Sequence, residues 1–199
     1  RGRDLTGRVQ LLLEVLWALA YLHRRGVLHR DLKPGNVLFS GGRVVVLDFG
    51  LSVLRAMTQA GSAELSGTLH YMAPELLVGQ PASEASDLYA FGVMALQILT
   101  GRRPFDADQS AILVYRVLNA EPDLSAQTLP EPILRVLEAL IERDPARRLA
   151  DAAQAARALA QAAGIALPDE SAQVRESYLQ AADFVGRESE LGTLRIPAP

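Results

Sequence analysis

His29-Arg30-Asp31-Leu32-Lys33-Pro34-Gly35-Asn36 sets an acid, a lysine and an amide close together, and Asp48-Phe49-Gly50 brings a second acid further along. Between them, Val37 to Phe39 and Val44 to Leu47 are β-prone runs. Ser40-Gly41-Gly42 reads as the hairpin turn that joins them, because glycine accepts the positive φ such turns need. A chain folded back at that turn carries Asp48 to the side of Asn36. Singly, these pieces say little. Asp-Phe-Gly is common, and an Asp and an Asn five apart are usually two solvated loop residues. Their order, across a hairpin, carries the reading.

The chemistry that suits this set is in-line transfer of a phosphoryl group, which needs both ends of the displacement held and the phosphate charge neutralised. Asp31 can accept the proton of a substrate hydroxyl and orient it. Lys33 can meet the transferring phosphate. Asn36 and Asp48 offer hard oxygen atoms to magnesium.

In this order the residues resemble the catalytic loop and metal-binding motif of the eukaryotic-type protein Ser/Thr kinases found in bacteria. Further stretches are similar to the same family. Gly67-Thr68-Leu69-His70-Tyr71-Met72-Ala73-Pro74-Glu75 resembles the end of its activation segment. Ser86-Asp87-Leu88-Tyr89-Ala90-Phe91-Gly92 resembles the helix beneath its catalytic loop, and Gly101-Arg102-Arg103-Pro104-Phe105 the turn after that helix. Asp144-Pro145-Ala146-Arg147-Arg148 carries its late arginine. Lys33 follows Asp31-Leu32 as in the Ser/Thr members, and it is the only lysine in the chain, against 19 arginines.

The resemblance implies ATP and Mg2+ as cofactors, and further roles. Glu75 would pair with Arg148 in a buried bridge that holds the activation segment. Asp87 would accept hydrogen bonds from the backbone around His29 and Arg30; taken alone, it reads as a first-turn acid favoured by the helix dipole. His29 and Phe49, with Gly50 beside it, would stack in a regulatory spine. Leu38 would lie under the adenine ring, and Thr68 would touch Asp31 and Lys33 in the closed site. Arg30 would meet an activation-loop phosphate, with Thr58, Ser62 and Ser66 as acceptors. Glu64 reads two ways, as a partial stand-in for that phosphate or as a solvated loop acid.

Outside the motifs, apolar periodicity predicts a helix over about 7–25, with Val9, Leu12, Leu13, Leu16, Leu19, Ala20 and Leu22 on one broad face. Further helices are expected over 83–99, 106–118 with Asp106 as N-cap, 131–141 with Pro132 in the first turn, and 151–163 with Asp151 and Gln154 as a capping box. The fold expected is mainly α: a kinase-like large lobe, a helical bundle with a small β-hairpin by the catalytic loop, its N-terminal lobe absent. The family's Gly-rich phosphate loop, strand lysine and helix glutamate are not found before Lys33. The domains expected are 1–163 as the C-terminal lobe, 164–183 as a linker, and 184–199 as a truncated start of a following domain. Phe184-Val185-Gly186-Arg187-Glu188-Ser189-Glu190-Leu191 resembles the entry of regulatory AAA-type signal-transduction ATPases. The N-terminal face, including His29, Phe49 and Leu38, is expected to be partly exposed.

Composition narrows the partners. The chain has 199 residues, 49% hydrophobic and 22% charged, with a net charge of −3 and no cysteine. A mainly disordered chain, a disulfide scaffold and a thiolate metal site are excluded. With no basic excess, no nucleic acid is expected, and no membrane segment either, since the longest apolar run, Tyr89 to Leu96, is short. The partners expected are a protein substrate, the N-terminal lobe and the downstream ATPase-type domain, in a cytoplasmic setting. The functional expectation is a Ser/Thr kinase, the isolated chain being inactive without its other lobe. The alternative is a non-catalytic, pseudokinase-like docking or regulatory module.

Overall fold

A computed structural model describes residues 4–40, 43–46, 67–124 and 129–167. Asp48, Phe49, Gly50, Thr58, Ser62, Glu64 and Ser66 lie outside the described residues, as does the stretch 184–199. The remainder, up to Ala166, falls within one unit of the chain.

Helix α1 (Leu5–Arg24) starts two residues earlier than its periodicity predicts, because a cap sets its start. The Asp4 carboxylate accepts the Gly7 N–H at 2.8 Å and satisfies one of the donors every helix start leaves over. An 18-residue window of this helix has a mean hydropathy of 1.3, long and apolar enough to cross a membrane by composition. Within the fold that apolarity is used for packing. Leu12, Leu16 and Leu19 are buried, and α1 lies against the two helices described next as α3 and α6.

The hairpin forms where expected, but Ser40, expected in the turn, belongs to the first strand and pairs with Arg43 of the second. Strand β1 (Val37–Ser40) pairs antiparallel with β2 (Arg43–Val46), Val37 opposite Val46 and Ser40 opposite Arg43. A 3₁₀ turn, Pro34–Asn36, leads into β1, and β2 touches α1.

A four-residue helix, α2 (Pro74–Leu77), precedes the central helix α3 (Glu84–Thr100). Ser83 and Ser86 cap α3 reciprocally, side chain to backbone in both directions. Gly101 stops it in the left-handed region at φ 79°, a conformation that favours glycine. Helix α3 is buried on all sides from Ser86 to Leu96, as an apolar helix at the centre of a bundle must be. It packs on α1 and on α5 (Glu131–Leu140), where Pro132 sits in the first turn.

Helix α4 (Ser110–Asn119) begins four residues later than predicted, and Asp106 is not its cap. The Asp106 carboxylate is occupied elsewhere, with Arg103 and His70, so the helix opens at Gln109 without a side-chain cap. Helix α6 (Ala152–Ala162) is capped by Asp151, which accepts the Gln154 N–H at 2.6 Å. Gln154 reaches back one residue further than a capping box requires, to the N–H of Ala150. Helix α6 closes the bundle against α1 and α5.

Candidate active site

The loop between α1 and β1 is held from below by one carboxylate. Asp87, in the first turn of α3, accepts the N–H of His29 through Oδ2 and the N–H of Arg30 through Oδ1, both at 2.8 Å. A third donor, His23 Nε2 from the last turn of α1, reaches Oδ2 at 2.9 Å. Asp87, His23 and His29 are all buried. The clamp has a conformational cost to offset. Arg30 is the one non-glycine residue with positive φ among those described, at 67°. That left-handed backbone costs a non-glycine residue about 1–2 kcal/mol. It also turns the chain sharply between residues 29 and 31 and leaves the Arg30 side chain exposed.

Past that turn, Asp31 is buried and well connected. Its Oδ2 meets Lys33 Nζ at 2.9 Å and accepts from Asn36 Nδ2 at 2.9 Å. The same amide nitrogen donates to the Asp31 main-chain oxygen at 2.8 Å. Asp31 Oδ1 is buried and has no hydrogen-bond partner among the described residues. Such a bare acceptor is costly to hold unless something else is meant to donate to it. Lys33 Nζ also donates to Thr68 Oγ1 at 2.9 Å. Among the described residues, Thr68 thus bonds to Lys33 and reaches Asp31 through it. A small cavity beneath the loop is lined by Asp31, Thr68, Tyr71 and Asp87, among others.

Asn36 commits both amide hydrogens to Asp31, so the atom it has left for a ligand is Oδ1, a hard oxygen suited to magnesium. Among the described residues no group of three or more His, Asp or Glu is placed to hold a metal ion. Leu38 on β1 is half exposed. His29 departs from expectation: it is fully buried, not part of an open face. Its two neighbours explain this, since Asp87 draws the residue inward and the Asp31 N–H closes over ring Nδ1 at 3.3 Å.

The segment beyond Thr68 is anchored by a second buried carboxylate. Glu75, in α2, takes Arg148 in a two-pronged bridge at 2.6 and 2.7 Å. His70 Nε2 meets Asp106 Oδ1 at 3.1 Å, and Tyr71 donates its hydroxyl to Gln97 Oε1 on α3.

Three of these features escape sequence reading wholly or in part. His23 was legible in part, since it continues the buried stripe Leu16, Leu19, Ala20 at helical spacing. Neither the left-handed Arg30 nor the pairing of His70 with Asp106 leaves a local signal.

A helical bundle that presents Asp31, Lys33 and Asn36 on one clamped loop beside a hairpin is protein-kinase-like. Residues 6–161 match the protein kinase domain family, and the chain belongs to that family. It is 36% identical to the probable serine/threonine-protein kinase pknA2 of Bifidobacterium longum over 172 residues, 84% of this chain and 23% of that protein. It is 35% identical to the serine/threonine-protein kinase PknA of Mycobacterium tuberculosis over 151 residues, 71% of this chain and 35% of that protein. The crystal structure of Rad53 residues 1–466 in complex with AMP-PNP is similar with a TM-score of 0.65 at 26% identity, covering 79% of this chain and 41% of that one. The chain spans 21% to 28% of the length of three of its bacterial curated relatives.

Proposed function

We propose that this chain is the catalytic large lobe of a protein Ser/Thr kinase that transfers the γ-phosphate of ATP to Ser or Thr hydroxyls of a protein substrate. The observation that carries the reading is the Asp31 carboxylate, with one oxygen fixed by Lys33 and Asn36 and the other buried without a partner among the described residues. A substrate hydroxyl donating to Oδ1 would be aligned for attack, and Asp31 would take its proton as the new phosphate ester forms. Lys33, steadied by Thr68, would balance the charge of the transferring phosphate. Magnesium, when bound with ATP, would neutralise the phosphate oxygens; Asn36 Oδ1 and Asp48 are the residues that would hold it. Leu38, half exposed on β1, would offer the adenine ring an apolar surface.

The chain contains no lysine ahead of Lys33 and no Gly-rich phosphate loop there. We therefore read it as working with an N-terminal lobe in a longer protein, which its small share of its relatives' length supports. The stretch from Phe184 to Leu191 supports a following ATPase-type domain. Asp31, Lys33, Asn36 and Asp48 are all present, which favours catalysis over a docking module. The test is phosphotransfer by the intact protein, with and without Asp31→Asn. A loss of about 10²-fold or more is expected, and an unchanged rate would end the reading.

A further inference from the structure

Residues 68 to 75 form a strap tied to four different parts of the fold. Thr68 holds Lys33 in the loop, Tyr71 holds Gln97 on α3, and Glu75 holds Arg148. The fourth tie is His70 to Asp106. It differs in character from the Glu75 bridge. The His70 side chain is largely buried, but Asp106 is 60% exposed and lies between α3 and α4.

Asp106 is itself well placed. Its carboxylate receives Arg103 Nη2 at 2.9 and 3.0 Å, and its main-chain oxygen accepts Arg116 from α4. Partial burial raises the Asp106 carboxyl, but the Arg103 hydrogen bond and charge, with those of His70, outweigh it and hold the group below the usual carboxylate range. One acid therefore joins the strap, the turn after α3 and the body of α4. Thr68 sits on the lysine that touches Asp31 and lines the same cavity as Asp31, so the strap borders the place where a hydroxyl would meet Asp31.

We propose that His70 and Asp106 are positioning residues for the polypeptide substrate. They latch the strap to the turn between α3 and α4, so that the surface beside Asp31 is preformed when the substrate arrives. This rests on the phosphotransfer reading above. Preorganisation of this kind appears in substrate affinity and not in the chemical step.

The test is steady-state phosphorylation of myelin basic protein by the intact protein, comparing wild type, His70→Ala, Asp106→Ala, the double variant and His70→Gln. Each alanine variant should raise KM for the protein substrate roughly fivefold, the worth of one lost hydrogen bond at a partly exposed site. At saturation, kcat should stay within about twofold. The double variant should be no worse than the worse single one, since both remove the same contact. His70→Gln, which keeps a side-chain donor, should recover most of the affinity. Additive losses, an unmoved KM, or a fall in kcat alone would overturn the inference. Circular dichroism checks folding, and if His70→Ala does not fold, Asp106→Asn at the exposed partner must show the same rise in KM. A silent wild type removes the functional reading and this inference with it. An active wild type with unmoved variants removes the inference alone.

Discussion

Arg148 grips Glu75 across 73 positions of sequence, Nη1 to Oε1 at 2.6 Å and Nη2 to Oε2 at 2.7 Å. Both side chains are almost entirely out of solvent. The guanidinium spends its remaining donors on the main-chain oxygens of Ala85, Glu142 and Arg143. Five acceptor oxygens thus meet on one side chain, and the strap, the start of α3 and the loop before α6 are locked together.

Removing either half leaves a buried charge without its partner. Arg148→Ala or Glu75→Ala should therefore cost about 3–5 kcal/mol in chemical denaturation. Arg148→Lys should not restore the loss, because an ammonium cannot make the parallel fork. The paired change Glu75→Gln with Arg148→Met should cost less than the sum of its parts.

The clamp under the loop predicts a local effect. Asp87→Asn keeps the shape but replaces one of two acceptor oxygens with a donor, which then faces the N–H of His29 or Arg30. The expected loss is about 1–3 kcal/mol. The amides of residues 29 and 30 should exchange with solvent faster than those of α3, measurable by hydrogen exchange.

Gly92 predicts the opposite of helix propensity. In a free helix, Gly→Ala gains up to about 1 kcal/mol. Here a Cβ would stand 2.8 Å from Ile141 Cγ2 and 2.9 Å from Leu140 Cβ. The second atom is fixed to backbone and cannot swing away, so α3 and α5 must separate. Gly92→Ala should destabilise by about 1–3 kcal/mol, read from the denaturation midpoint.

Tyr89 makes a pH-dependent contribution. Its hydroxyl is buried with no hydrogen-bond partner among the described residues, and Arg148 lies 5.0 Å from the ring centroid. Burial pushes the phenol well above its ordinary value, with Arg148 pulling partly back. A raised folded value means that this contribution is intact below the unfolded value of about 10 and drains away as pH rises beyond it. Tyr89→Phe keeps the ring under Arg148 and removes the ionisable group. It should be near neutral at pH 7 and should flatten the alkaline loss of stability seen in melts above about pH 10.

Much of the architecture is legible because its signals are local. Ser83, Gly101, Asp151 and Pro132 mark helix ends by chemistry that acts within one turn. The loop motif stands out because several residue types must fall in order. What is not legible depends on contacts across the fold. Asp106 looks like a helix cap from its neighbours, yet Arg103 and His70 compete for the same oxygens and win. His29 looks like part of an open face until the Asp87 tie is seen. Arg30 has no sequence feature that announces a left-handed backbone, since the strain is imposed by bonds from a helix 57 positions away.

Lys33, wedged between Asp31 and Thr68 with a quarter of its side chain open to solvent, is also the sole ε-amine of the chain. Acylating reagents that seek primary amines therefore find one internal target here, and it lies at the heart of the loop. A single mass increment on a tryptic peptide becomes a gauge of whether that pocket is occupied or bare.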